Sequence, residues 1–466
     1  MTTYKNKIRN AFDKAHDYNR SAHVQKIVVR QLIAKIKKLY QYRPHPVSIL
    51  EVGCGTGFLT QELLKLFPTA QFTITDISSN MIEYLKQNYK NTTSNIHFEV
   101  MDGENPSKNY HSFDLICSSL AFQWFENLPT ALQQLSNLLT PNGYLVCSTL
   151  SEGNFIEWKH LYESNGYSNS FQQYPSIDRL QTYWPSDHGH GYWEEEKIID
   201  RSISGYQFIK DLRSIGAHTP RNMHRPLSAG RLRKIIDQFD TNYGYTTYQI
   251  AYGIFQRFAA KGYFVTGTDT DVGKTFISAC LVKLLNALYW KPIQTGLNCD
   301  PGDTNTICKL TGLRDQQIIP PLIELQHPLS PEAAAEIENI KLDIHQMNFT
   351  LNDPSKTYIV EGAGGIFVPI AENQFMIDCM KKINLPVIIV ARTSLGTLNH
   401  TLLTIECLRH HHIPIAGVIL NGSSNPANKK AIERHGKVRV IAEIPKAETV
   451  DARTIKDFCK KLSLFN

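Results

Sequence analysis

Short apolar runs that end in glycine or aspartate recur along the chain, separated by stretches in which apolar residues return at helical spacing. After helix-like segments that reach about Leu39, the run 47–52 is expected to form a buried strand that meets Gly53-Cys54-Gly55-Thr56-Gly57. A helix should follow from Phe58 to Leu66, then a strand from Gln71 to Thr75 ending at Asp76, then a helix from about Asn80 to Asn88. Further strands are expected at 96–101, 113–118 and 143–149. Strands alternating with helices predict a mostly parallel, doubly wound sheet.

Between 151 and about 191 the pattern gives way to an aromatic, turn-rich stretch that includes Trp158, Tyr162, Tyr167, Phe171, Tyr174, Tyr183 and Trp184. A long irregular segment of this kind is expected to be a lid or binding region. Strand-like runs return at 193–203 and 245–256, with helices around 205–215 and 228–238 between them. A second start follows. Lys261-Gly262-Tyr263-Phe264-Val265 is strand-like and runs into Gly267-Thr268-Asp269-Thr270-Asp271-Val272-Gly273-Lys274-Thr275. A helix is expected from Phe276 to Leu285, and later strands at 357–361, 385–391 and 414–420. No internal repeat or low-complexity linker separates the two patterns, so two α/β domains, 1–258 and 262–466, are expected on a short tether.

Composition supports ordered, globular domains: of 466 residues, 42% are hydrophobic and 20% charged. A chain of this length has room for two or three domains. No apolar run approaches the roughly 18 residues a membrane helix needs. The charged N-terminus, MTTYKNKIRNAFDKA, lacks the apolar core of a signal peptide. Nine cysteines without a Cys-x-x-Cys pair suit a reducing cytoplasm and argue against a zinc ribbon or disulfide framework. The net charge of +6 is uneven: residues 1–50 carry eleven Lys/Arg against two acids, and 201–234 carry eight against one. Such patches are either solvated helix faces or a dock for an acidic partner, and no nucleic-acid motif accompanies them.

The first glycine loop joins a strand to a helix, where glycine lets a ligand approach the backbone and the helix N-terminus adds partial positive charge. Asp76, at the end of the second strand, can accept hydrogen bonds from ribose hydroxyls, a feature NAD and S-adenosylmethionine (SAM) enzymes share. The combination is narrower. Glu51-Val52-Gly53-Cys54-Gly55-Thr56-Gly57, Asp76, Met101-Asp102-Gly103 and Phe113-Asp114-Leu115-Ile116 resemble the class I SAM methyltransferases. The resemblance implies a Rossmann-like fold with a helical lid, and SAM bound by Glu51, Gly53, Gly55, Gly57, Asp76 and Asp102.

Phe12, Asp13, Ala15 and Tyr18, then Ser119-Leu120-Ala121-Phe122-Gln123-Trp124, then Phe208-Ile209-Lys210 with Leu212 and Ile215-Gly216-Ala217, resemble the malonyl-acyl-carrier-protein O-methyltransferases of biotin synthesis. That likeness covers about 1–258. It implies methylation of the free malonyl carboxyl, with Tyr18, Gln123 and Trp124 at the substrate. Arg213 and Arg221 are candidates for the malonyl carboxylate, and the basic patches would suit an acidic carrier protein. A carboxylate is already nucleophilic at neutral pH, so no general base is needed; positioning and exclusion of water should suffice. A SAM methyltransferase for another small metabolite is the rival reading.

The second loop departs from the common phosphate-loop spelling, with Thr268 at the usual first-glycine position, but it keeps Gly273-Lys274-Thr275. Its amides and Lys274 can hold phosphates, and the Thr275 hydroxyl can ligate Mg²⁺. Together with Trp290-Lys291-Pro292-Ile293-Gln294-Thr295-Gly296, Gly302-Asp303, Val360-Glu361-Gly362-Ala363-Gly364-Gly365, Asn421 and Glu443-Ile444-Pro445, it resembles the ATP-dependent dethiobiotin synthetases across 262–466. The resemblance implies a P-loop NTPase-like fold that closes a ureido ring from 7,8-diaminononanoate, CO₂ and ATP. Thr275, Asp303 and Glu361 would hold Mg²⁺. Lys274, Lys291 and Thr295 would be catalytic. Gly273, Lys274, Thr275, Asn421 and Pro445 would bind ATP, and Gly362, Gly364 and Asn399 the substrate. The run Ser394–Asn399 resembles a segment that completes a neighbouring subunit's site, which implies a homodimer. A ParA-like ATPase switch would carry an additional lysine early in the loop, where this chain has Thr268 and Asp269. His410-His411-His412 is read as a helix end, because adjacent helical residues point in different directions.

Overall fold

The computed structural model describes residues 3–13, 22–89, 95–107, 110, 112–168, 171–201, 204–214, 227–445 and 450–462. The chain divides into two compact units, Met1–Arg257 and Phe258–Asn466. Each is a mixed α/β unit built on a seven-stranded sheet.

In the first unit the strands are β1 (Ser48–Val52), β2 (Gln71–Asp76), β3 (Ile96–Val100), β4 (Phe113–Ser119), β5 (Leu139–Leu150), β6 (Gly189–Asp200) and β7 (Thr246–Arg257). They lie in the order β3-β2-β1-β4-β5-β7-β6. The first five are parallel, and β7 runs antiparallel between β5 and β6. β1 is buried from Ile49 to Val52, as expected of an apolar strand, Ile49-Leu50 and Val52, in a parallel sheet covered on both faces. The helix Phe58–Leu66 turns Leu59 and Leu63 into that core. Successive strands leave β1 on opposite sides, β2 on one and β4 on the other. That reversal opens a crevice at the carboxyl end of β1, where the glycine loop lies.

The segment 151–191 is more ordered than its composition suggested. It contains the helices Ile156–Ser164 and Ile177–Gln181 and the start of β6. The physical reason is aromatic packing. Trp158 is fully buried, stacked on Phe208 at 4.7 Å and on Phe239 at 4.2 Å. Glu157 accepts hydrogen bonds from the Thr247 amide and hydroxyl at 3.0 and 2.5 Å, tying the first helix to β7. These aromatics form a small core of their own, with helices too short for their periodicity to stand out.

The second unit contributes β8 (Lys261–Gly267), β9 (Leu288–Trp290), β10 (Ile293–Gln294), β11 (Ile318–Ile319), β12 (Ile323–Glu324), β13 (Thr357–Glu361), β14 (Pro369–Ala371), β15 (Gln374–Phe375), β16 (Val387–Arg392), β17 (Ile415–Asn421) and β18 (Val440–Ile444). The main sheet is parallel throughout, in the order β11-β9-β13-β8-β16-β17-β18. The short pairs β10–β12 and β14–β15 stand apart from it. β8 lies at the centre with β13 and β16 on either side, so the phosphate loop leaves the middle of the carboxyl edge. The following helix begins at Lys274 rather than Phe276, which puts Lys274 and Thr275 in its first turn. The helix Thr397–His410 ends at the histidine triplet, as expected. Among the described residues, no helix is long and apolar enough to cross a membrane.

Candidate active sites

In the first unit the glycine loop folds back on the end of β2. The Gly53 and Cys54 amides donate to the Thr75 carbonyl, each at 2.9 Å. The Gly55 amide donates to one carboxylate oxygen of Asp76 and the Ser78 amide to the other, again at 2.9 Å. Gly53 has φ +73°, and a Cβ there would fall 2.5 Å from Ala121 Cβ, so only glycine fits. Burial raises the Asp76 pKa, opposed by the Ser78 and Gly55 amides. Each Asp76 oxygen keeps a lone pair for a further donor.

These residues form one wall of a cleft lined also by Lys5, Phe12, Glu51, Asp102, Trp124 and Phe125. The buried Thr56 hydroxyl on this wall has no hydrogen-bond partner among the described residues. A nucleoside-bearing ligand fits such a wall: backbone amides, a carboxylate for ribose, an unpaired hydroxyl and aromatic sides. Glu51 lies deepest, 1% exposed, and accepts from the Thr60 hydroxyl at 2.7 Å. Gln123 turns its amide back to the Leu120 carbonyl, at 2.6 Å, while its neighbour Trp124 faces the cleft and meets Phe12 edge-on at 5.8 Å.

Lys5 was not legible as a site residue. From the helix Thr3–Phe12 its ammonium pairs with both Asp102 and Glu104 at 2.6 Å. Burial opposes the Lys5 charge, but these two carboxylates outweigh it and raise its pKa. Burial likewise opposes ionisation of Asp102, and the bonds from Lys5 and Asn105 overcome it and lower that pKa. A single lysine in a generally basic segment carries no sequence signal for a partner 97 residues away. Tyr18, Arg221 and the Arg213 side chain lie outside the described residues. From the second basic patch, Arg231, Arg233 and Lys234 are exposed on the helix Ala229–Asn242.

In the second unit the phosphate loop turns at Gly273, φ +93°, where a Cβ would fall 2.1 Å from the Asn421 amide nitrogen. That amide donates to the Val272 carbonyl at 2.9 Å, so Asn421, expected to bind ATP, also ties the end of β17 to the loop. Lys274 lies along the loop and donates to the Asp269 carbonyl at 3.2 Å; burial and the nearby Lys291 charge lower its pKa.

Below the loop the ends of four elements converge. The Thr275 hydroxyl lies 2.6 Å from Asp303 Oδ1 and 2.9 Å from Glu361 Oε1. Lys291 Nζ lies 2.5 Å from Asp303 Oδ2, 3.2 Å from Glu361 Oε1 and 3.4 Å from the Gly362 carbonyl. Burial disfavours both charges, yet Glu361 and Asp303 outweigh it and raise Lys291, while Lys291 and Thr275 lower Asp303. One hydroxyl has one proton and cannot donate to two carboxylates at once. Three hard oxygens thus meet beside one ammonium, donors of the kind that could hold a small divalent cation.

Gln294 and Tyr289 were not anticipated. Gln294 Oε1 accepts from the Asp303 amide at 3.0 Å and its Nε2 donates to the Thr295 carbonyl at 2.7 Å, bracing the two. Tyr289 donates to Glu361 Oε2 at 3.1 Å. Gly362 joins the cluster through its carbonyl, and Gly364, φ +64°, continues the loop beyond it. Pro445 is exposed just past β18, whose Ile444 is in register with Asn421. Asn399 is not gathered into the cluster. It lies exposed in the first turn of the helix Thr397–His410, near a fully exposed Leu395.

Residues 49–143 match a methyltransferase domain family, and residues 261–454 match an AAA domain family. The chain is 39% identical over 456 residues to the Biotin biosynthesis bifunctional protein BioCD of Bordetella avium, spanning 98% of this chain and 95% of that protein. It is 48% identical over 195 residues to an ATP-dependent dethiobiotin synthetase of Paramagnetospirillum magneticum, covering 42% of this chain and 93% of the relative. It is 38% identical over 248 residues to a malonyl-[acyl-carrier protein] O-methyltransferase of Magnetococcus marinus, covering 53% of this chain and 90% of the relative.

The deep carboxyl of Glu51 yields a pH prediction. Burial is the chief cause that lifts it from an ordinary 4.5 to about 8; the Thr60 bond opposes this and the Asp76 charge adds to it. The folded chain then holds a proton that the unfolded chain has released, so this group's contribution to stability is full below the ordinary value and is lost as pH rises towards about 8. Glu51→Gln cannot ionise. Its first unit should lose less thermal stability than the wild type between about pH 5 and about pH 8. Identical slopes in melts across that range would show that Glu51 does not hold the proton.

Proposed function

The chain belongs to the family of bifunctional biotin biosynthesis proteins, and on that premise we propose how its two halves divide the chemistry. It is an enzyme with a SAM-dependent and an ATP-dependent activity. Residues 1–258 methylate the free carboxyl of malonyl-acyl-carrier protein. Residues 262–466 close the ureido ring of dethiobiotin from 7,8-diaminononanoate and CO₂.

For the first half, SAM supplies an electrophilic methyl group. Gly53, Gly55 and Gly57 would let it lie against the loop, Asp76 would take the ribose hydroxyls, and Glu51 and Asp102, which line the cleft, would complete its site. The malonyl carboxylate needs no base, so the protein's part is to align it and keep water out. By resemblance Trp124, which lines the cleft, would meet that substrate together with Gln123 and Tyr18. No group that would abstract a proton is required of the cleft.

For the second half, ATP supplies the phosphoryl group that activates a carbamate, and Mg²⁺ neutralises charge on its phosphates. The single observation that carries this reading is the meeting of Thr275, Asp303 and Glu361 around Lys291 beneath the phosphate loop. Thr275, Asp303 and Glu361 would hold the cation. Lys274 and Lys291 would hold the phosphates and the carbamate, Thr295 and the Gly362–Gly364 backbone the diamine, and Asn421 and Pro445 the base. Lys291 is buried and charged, which suits it to steady an anion as it forms.

We infer also that two chains pair through the second half. Asn399 is exposed, and Leu395 and Leu403 are exposed on the same segment. A second copy would cover these leucines and receive Asn399 at its substrate. Sedimentation of the full chain should give twice the chain mass, and a monomer at enzyme-assay concentrations would refute the pairing.

The two-site account is tested on the intact chain. Lys274→Ala should lower dethiobiotin formation by about 100-fold or more while methyl transfer to malonyl-carrier protein stays at the wild-type rate. Asp76→Ala should weaken SAM binding and leave dethiobiotin formation intact. Loss of both activities in either variant would contradict independent sites.

A further inference from the structure

Tyr289 and Lys291 lie two positions apart, so they face the same side of extended backbone. They meet opposite oxygens of one carboxylate. Lys291 reaches Glu361 Oε1, which also faces Thr275, whereas the Tyr289 hydroxyl donates to Glu361 Oε2 at 3.1 Å. Both partners are shut from water, Tyr289 at 0% and Glu361 at 1% exposure. The Tyr289 ring is fixed in turn by the core: β9 pairs with β13, Ile359 lies opposite Tyr289, and Val265, Ile277 and Cys280 belong to the same apolar cluster.

We propose that Tyr289 is a positioning residue for the cation site: it occupies Oε2 of Glu361 and so presents Oε1 alone to Thr275 and Asp303. The proposal rests on the reading that Glu361 holds the divalent cation. A carboxylate with two unrestrained oxygens can rotate and bind through either or both. One oxygen capped by a rigid, buried hydroxyl cannot, and the ligand geometry is set before the cation arrives. Partners that orient a metal ligand from behind act in this way, and their loss weakens metal binding by roughly 10- to 100-fold. Tyr289→Phe removes only the hydroxyl and keeps the ring that fills the core.

The test uses the full chain with a non-hydrolysable ATP analogue and Mn²⁺ as the probe, bound and free metal being separated by electron paramagnetic resonance. Tyr289→Phe should weaken Mn²⁺ binding by about 10-fold or more and raise by a like factor the Mg²⁺ needed for half-maximal dethiobiotin formation. Its methyl-transfer rate should match the wild type, and its unfolding midpoint should stay well above the assay temperature although the lost buried hydrogen bond lowers it, which separates positioning from general damage. Placed on Glu361→Gln, the Phe substitution should add no further loss, because its effect passes through that carboxylate. Wild-type Mn²⁺ affinity in Tyr289→Phe, alongside weakened affinity in Glu361→Gln, would overturn the proposal alone. Wild-type affinity in Glu361→Gln would overturn the cation reading on which it stands.

Discussion

A parallel sheet leaves the backbone amides beyond its carboxyl edge without strand partners, and both halves of this chain depend on filling that gap with a glycine loop. In the first unit the loop leaves β1 where the strand order reverses, and Asp76 takes the Gly55 amide. In the second it leaves the central β8, and Asn421 takes up the Val272 carbonyl. The side chain that braces each loop comes from the end of another strand of the same sheet. The loops can therefore stay open to a ligand without losing their shape. Everything chemically active lies within reach of those two edges.

The two edges differ in how they handle charge. The first carries acids in excess: Glu51 is buried on a hydroxyl, Asp102 and Glu104 share Lys5, and Asp76 is held by backbone amides. Such a wall suits a cationic sulfonium donor. The second concentrates Lys274, Lys291, Asp303 and Glu361 in a small volume, with burial acting against every charge. Such a cluster is costly to fold without strong internal pairing. It suits a reaction in which several anions must be held together.

Much of this was legible in the chain. The glycine loops were legible because only glycine permits the positive φ at Gly53 and Gly273 and the close contacts there. The strand Thr357–Glu361 and the helix Phe58–Leu66 fell within the expected bounds because their apolar patterns are local. Thr275, Lys291, Asp303 and Glu361, named from separate motifs, do come together. Contacts that depend on the tertiary fold were not legible. Tyr289 meets Glu361 across 72 residues and Lys5 meets Asp102 across 97, and neither carries a motif. The aromatic segment around Trp158 looks irregular in sequence, as a lid or binding region would, because its helices are short and its order comes from stacking against Phe208 and Phe239. Asn399 shows the opposite case: a residue named by resemblance that its own chain leaves exposed.

Two sites on one chain need not share substrate, because a malonyl-carrier protein and a diamine are different molecules. Their union is more simply a matter of making both in equal amount. The central claim, that this one chain performs both reactions, is tested most directly by complementation. The full chain would be expressed in one host lacking its own malonyl-carrier-protein methyltransferase and in another lacking its own dethiobiotin synthetase. Growth of both hosts without biotin is the predicted result. Growth of only one would contradict the account and show which half is not the enzyme described.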